Sequence, residues 1–265
     1  MPGMPPNSSL ETINDYQAGC KGILWREEKI RAADGNAGST PPRLPDLSAV
    51  LKDLQQTSVA ARFTLVALSY RGYWKSSGRP HEAGLNLDAE AAYRWILEQH
   101  GSSTPAPSLV LWVHSIGAGI ATNLAASAYT RALSWTSQPA LLILEAPFLS
   151  TRAMLAALYP QKWLPYKHLW PFIHNPLDSW LNVGRLAAGF GRRAPRVAII
   201  QAENDELVPA SHPEQLMKRC AEFGISVTCK SIAGAFHNEA SVKPQGRRAI
   251  VGALQKMAER DQHTE

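Results

Sequence analysis

From residue 60 onward, short continuous apolar runs alternate with stretches whose apolar residues recur every three or four positions. Runs of the first kind predict strands buried on both faces, and stretches of the second kind predict helices with one face inward. Strands are expected at residues 63–69, 109–113, 140–146, 196–202 and 225–231. Helices are expected behind them, over 85–97 (Leu85, Ala89, Ala92, Tyr93, Ile96 and Leu97 on one face), 116–129, 213–223 and 242–259. Such alternation implies an α/β fold with a mostly parallel sheet covered on both faces. In sheets of that kind, ligands sit beyond the carboxyl ends of the strands.

The two regions that break the alternation are as informative as those that keep it. Before residue 60 there is one plausible strand, 23–30, and one helix, 47–55. Between 149 and 193 the pattern gives way to Tyr159, Trp163, Tyr166, Trp170, Phe172 and Trp180, interrupted by prolines at 160, 165, 171 and 176. A proline-broken aromatic stretch suits a cap over an active site, where it excludes water and meets apolar substrate groups. The expected organisation is a single domain over 1–265, with an atypical segment at 1–60 and a cap inserted at 150–193.

Composition narrows the chemistry. The net charge of +5 is dispersed, with no basic run interleaved with aromatics, so no nucleic-acid partner is expected. Three cysteines, Cys20, Cys220 and Cys229, without metal-ligand spacing, argue against a disulfide framework or a zinc site. Neither a signal-peptide pattern nor a run of roughly 18 apolar residues is present, which makes a cytoplasmic setting without a membrane span the expectation.

One stretch carries a candidate reaction. Leu109-Val-Leu-Trp-Val-His-Ser115-Ile-Gly-Ala-Gly119 stops an apolar strand at a serine and opens a helix on small residues, as a nucleophile elbow does. Val113 stands where the G-x-S-x-G pattern has its first glycine, and a helix-capping serine would fit the same local sequence. A serine hydroxyl needs a base, and the base needs a carboxylate to hold its tautomer. Asp205 follows the strand 196–202 and His237 follows the strand 225–231, which gives the chain order Ser, Asp, His. Taken singly, Asp205 reads equally as a surface carboxylate and His237 as a solvated loop histidine. Glu203 and Glu206 are rival acids. Strand alternation should turn His114 away from Ser115, into packing.

The segments Ser69-Tyr-Arg-Gly-Tyr73, Ser76-x-Gly78-x-Pro80-x-Glu82-x-Gly84-Leu85 with Asp88, His114-Ser-Ile-Gly-Ala-Gly119, Asp205-Glu-Leu-Val-Pro209 and Phe236-His237 together resemble the small α/β-hydrolases. The likeness is to their serine aminopeptidase-like and bud-emergence branch of alpha/beta hydrolase domain-containing proteins, and it covers residues 60–255. Trp74 departs from it, standing where that branch has glycine. The resemblance implies hydrolysis of an ester, thioester or amide through an acyl-enzyme, on a small-molecule or lipid-like acyl substrate, without metal or cofactor. It assigns Ser115, Asp205 and His237 as the triad, Ile116 N–H as an oxyanion donor, and Asn36, in Asn36-Ala-Gly38, as the remnant of the loop that supplies a second donor. Relatives of this branch often carry an N-terminal membrane anchor, which this sequence does not show.

The resemblance also implies two to four strands ahead of residue 60, where this chain offers one. One strand expected beside 63–69 and 109–113 is missing, so a perturbed sheet and an incomplete oxyanion hole follow. Losing one oxyanion donor costs about 10²–10³ in turnover. The alternative function, motivated by Val113, Trp74 and the missing strand, is a catalytically impaired relative that keeps the fold as a binding or scaffolding module.

Overall fold

The computed structural model describes residues 13–28, 30–32, 37–38, 43–57, 62–73, 76–103, 106–134, 137–159 and 175–262. They fall in two units, Met1–Ser102 and Ser103–Glu265.

In the first unit, α1 (Ile13–Gln17) runs into a 3-10 turn, and a two-residue strand β1 (Ile30–Arg31) pairs antiparallel with β2 (Ala37–Gly38). Helix α2 (Leu44–Gln55) starts earlier than the apolar pattern suggests because Pro45, in its first turn, needs no N–H partner there. Helix α3 (Glu82–His100) is capped by His81, whose ring accepts from Gly84 N–H at 3.1 Å. Buried Cys20 and Leu44 pack against Tyr16, Trp25 and Ala67.

The Tyr-Arg-Gly-Tyr segment is explained by one buried ion pair. Arg71 donates from Nη2 to Asp88 Oδ1 at 2.7 Å, and from Nε and its own backbone N–H to Oδ2 at 3.0 and 2.9 Å. A buried charge is tolerated only when paired and hydrogen-bonded, and these three bonds supply that pairing. The guanidinium lies so close to α3 that a Cβ at Gly84 would fall 2.4 Å from Nη1, and Gly72 turns the chain at φ +74° against Pro80. Burial, followed by the Asp88 charge, pushes the Tyr70 hydroxyl well above its ordinary pKa.

Two expected strands are absent here. Residues 23–28 form no strand, only Ile30 of that run entering β1, and residues 62–70 join neither sheet. Apolar content sets whether a run is buried, whereas a strand also requires a neighbouring ladder to satisfy its N–H and C=O groups.

The second unit holds the parallel sheet. Its strands β3 (Leu109–His114), β4 (Pro139–Glu145), β5 (Arg196–Ala202) and β6 (Val227–Ile232) lie in the order β3-β4-β5-β6. Paired positions include Trp112 with Ile143, Ile143 with Ala198, and Ile199 with Cys229. Helices α4 (Ile116–Ala125) and α5 (Ala128–Ala132) replace the single helix expected over 116–129. The division follows from Ser127, whose Oγ accepts Thr130 N–H at 3.2 Å and begins a new helix.

After β4 come α6 (Thr151–Leu158) and α7 (Ser179–Phe190), and after β5 and β6 come α8 (Ser211–Glu222) and α9 (Pro244–Gln262). Helix α7, capped by Asp178 Oδ1 accepting Leu181 N–H at 2.8 Å, buries Val183 and Leu186 in one core with Leu142, Leu144, Val197, Ile199 and Leu216. This part of the aromatic stretch therefore covers the sheet. The cap expected from Trp163, Tyr166, Trp170 and Phe172 lies outside the described residues.

Candidate active site

At the carboxyl end of β3 the backbone turns sharply, with Ser115 at φ +52° and ψ −115°. A non-glycine residue there is strained by about 1–3 kcal/mol, and the surrounding bonds must hold it. Ser115 N–H donates to Glu145 O at 2.9 Å, one residue past the β3–β4 ladder, and Ser115 O accepts Ala118 N–H at 2.8 Å. A Cβ on Gly117 would sit 3.2 Å from Val113 Cβ, so the helix-side glycine is what makes room for valine in the strand. Beneath the turn, Trp112 Nε1–H donates to the carboxylate of Glu145, which is buried at 1% exposure.

The two readings of Ser115 differ in where its hydroxyl is used. Ser115 occupies the N-cap position of α4, yet its side chain makes no capping hydrogen bond. Its Oγ instead lies 2.9 Å from His237 Nε2.

Asp205 sits in the polar loop after β5. Its Oδ1 accepts from Leu207 N–H at 3.0 Å and Val208 N–H at 2.8 Å, which fixes the carboxylate plane. His237 Nδ1 lies 3.0 Å from Oδ1 and 2.9 Å from Oδ2. Two carboxylate oxygens facing one ring nitrogen require the proton on Nδ1, so Nε2 is the acceptor and Ser115 Oγ–H the donor. Burial alone would raise the Asp205 pKa; the His237 hydrogen bond, the Val208 and Leu207 amides and the His237 charge outweigh it and hold the carboxyl below its ordinary 3.8.

The rival acids occupy different places. Glu203 Oε2 accepts Gly234 N–H at 2.7 Å and Glu206 Oε2 accepts His237 N–H at 2.9 Å. With Asn204 N–H donating to Ala235 O at 2.9 Å, the acid loop and the histidine loop are laced residue by residue. The His237 amide holds the Glu206 carboxyl below its ordinary pKa. Lys243 Nζ closes the far side on Gly234 O at 2.7 Å.

His114 makes a polar contact in addition to the packing expected of it. Its Nε2 lies 2.9 Å from the His237 carbonyl oxygen, and the two rings are 4.7 Å apart between centroids. His114 thus meets the main chain of His237 while Ser115 meets its ring. The sequence signal for Glu203 and Glu206 was the density of acceptors in Glu203-Asn-Asp-Glu206, opposite a glycine-containing loop with amides to satisfy. Trp74 and the second oxyanion candidate Asn36 lie outside the described residues. Among the described residues no cluster of His, Cys, Asp and Glu could hold a metal ion, and no helix is long and apolar enough to cross a membrane.

Ile116 N–H and Gly117 N–H open α4 beside the hydroxyl, where a helix N-terminus favours negative charge. The arrangement joins a hydroxyl, an imidazole acceptor, a carboxylate and backbone donors at the end of one sheet, the parts needed for acyl transfer.

Residues 41–233 match the model of the alpha/beta hydrolase family. An uncharacterised protein of Mycobacterium tuberculosis is 32% identical over 211 residues, covering 79% of this chain and 63% of its own length. Lysophosphatidylserine lipase ABHD12 of Danio rerio is 31% identical over 169 residues, 60% of this chain and 40% of that protein. The chain thus spans less than two thirds of the length of these relatives. Among solved structures, the Pyrococcus furiosus esterase Pf2001 superposes with a TM-score of 0.62 at 14% identity, covering 94% of both chains. An esterase from Rhizomucor miehei does so with a TM-score of 0.61 at 17% identity, over 98% of this chain and 93% of its own. At such identities the likeness speaks to the fold.

Proposed function

The chain belongs to the alpha/beta hydrolase family, and from that premise we propose that it is a serine hydrolase cleaving an ester, thioester or amide through an acyl-enzyme. Ser115 Oγ attacks the acyl carbon while His237 Nε2 takes its proton. Asp205, kept ionised by His237 and two amides, stabilises the imidazolium and holds the ring in its Nδ1–H tautomer. The developing oxyanion is received by Ile116 N–H at the start of α4. The imidazolium then protonates the leaving group, and a water activated by the same nitrogen releases the acyl group from Ser115.

The observation that carries this reading is the Ser115 hydroxyl, withheld from helix capping and set 2.9 Å from a histidine ordered by a carboxylate. Strain at Ser115 fits the same role, since a plain cap has no need of it. Three exposed apolar side chains flank the triad in sequence: Ile116 beside Ser115, Phe236 beside His237, and Leu207 two residues past Asp205. They favour an apolar acyl group, as does the lipase activity for which the Danio rerio relative is named.

Turnover of p-nitrophenyl acyl esters of increasing chain length tests the proposal. The native protein should hydrolyse them with a preference for longer acyl groups, and Ser115→Ala should lose at least about 10³-fold in kcat. Equal turnover by both proteins would refute it.

A further inference from the structure

We propose that His114 and Glu206 form a main-chain clamp on His237, with His114 as a positioning residue that ties the general base to the strand end carrying the nucleophile. The inference rests on the serine hydrolase reading above and concerns how that site keeps its geometry.

The need for a clamp follows from where the base sits. His237 lies in a turn after β6, and a turn is the least constrained part of a scaffold. Proton transfer requires its Nε2 to remain within about 2.6–3.2 Å of the hydroxyl. Side-chain bonds to Asp205 and Ser115 orient the ring, but they do not fix the Cα from which the ring pivots.

Both polar main-chain groups of His237 are held from outside its own loop. Its N–H donates to Glu206 Oε2 at 2.9 Å, from the loop after β5. Its carbonyl lies 2.9 Å from Nε2 of His114, the last residue of β3. A carbonyl can only accept, so the His114 proton on this side is assigned to Nε2. His114 and Ser115 are adjacent, so the nucleophile and the carbonyl of the base are referenced to consecutive residues of one strand end. A shift of the histidine loop must break that bond before it lengthens the Ser115–His237 contact. The ring centroids, 4.7 Å apart and inclined at 54°, add a packing contact that opposes rotation of the His237 ring.

Variants at 114 isolate the hydrogen bond from bulk. His114→Gln keeps an N–H donor at about the reach of Nε2, His114→Asn keeps the amide on an arm too short to reach, and His114→Phe keeps a ring without a donor. Phe and Asn should lower kcat for a p-nitrophenyl ester by about tenfold or more, with KM within about twofold, and Gln should recover most of that loss. The rate of labelling of Ser115 by a fluorophosphonate should follow kcat, because only the placement of the base has changed. Glu206→Gln should give a smaller loss, and the double variant should fall short of the product of the single effects, since both groups fix one residue.

Equal kcat for Gln, Asn and native protein would overturn the clamp; should His114→Phe fail to fold, the Gln and Asn pair decides. Activity that survives Ser115→Ala would instead remove the triad reading, and the clamp with it.

Discussion

Replacing Asp205 with asparagine tests the site through its hydrogen-bond directions alone, because the two side chains have the same shape. Oδ1 of Asp205 accepts from two fixed amides, Leu207 N–H at 3.0 Å and Val208 N–H at 2.8 Å, while Oδ2 receives His237 Nδ1–H at 2.9 Å. An asparagine with its oxygen toward His237 would aim its NH₂ at two N–H donors. The opposite orientation keeps both amides satisfied and turns the NH₂ toward Nδ1. That second orientation wins, and it drives the imidazole proton to Nε2, where it can no longer accept from Ser115 Oγ. A wrong tautomer in a serine triad costs about 10⁴ in kcat, or about 5 kcal/mol of transition-state stabilisation. Steady-state rates on a p-nitrophenyl ester measure the loss, with the thermal midpoint as a control for folding. A loss of less than about tenfold in folded protein would refute the reasoning from tautomer.

Other consequences concern stability. Leu186, fully buried in the core beneath α7, should cost about 2–5 kcal/mol when changed to alanine, read as a lower urea midpoint; a cost under about 1 kcal/mol would mean α7 does not cover the sheet. Gly119→Ala places a Cβ 2.9 Å from Leu177 Cβ and should destabilise by about 1–3 kcal/mol, whereas Gly252→Ala, with open space, should not. Burial holds the His212 pKa below its ordinary 6.5, so the unfolded chain binds the proton more readily. The stability this confers is full above pH about 6.5 and falls as pH drops toward the folded value. A His212→Leu variant should lack that part of the pH dependence, and an unchanged slope between pH 7 and 5 would count against it. Asp205, held below 3.8, supports the fold above that pH and ceases to as pH falls through its folded value, a step that Asp205→Asn should remove from acid unfolding curves.

The parallel core was legible because both faces of its strands are covered. Residues 140–146 and 196–202 are continuous apolar runs, and they became β4 and β5 within a residue of their expected ends. The three side chains now within hydrogen-bond reach were legible for a related reason, since strand ends in such a sheet converge on one rim. Residues 63–69 read equally well as a strand, but strand formation depends on a neighbour that lies elsewhere in the chain, which no local pattern reports. Helix α7 was hidden by the aromatic and proline residues around it, although Val183 and Leu186 occupy one face. The packing expected of His114 is met against the His237 ring, but its bond to the His237 carbonyl was not legible, because alternation along one strand says nothing of a loop 123 residues away.

The central claim is that Ser115 is a nucleophile activated by His237. Its most direct test is incubation with a fluorophosphonate followed by mass spectrometry of the digested protein. One phosphonyl adduct per chain is expected, on the peptide containing Ser115, with labelling abolished by Ser115→Ala and strongly slowed by His237→Ala. Native protein that stays unmodified, or an adduct on a different residue, would contradict it.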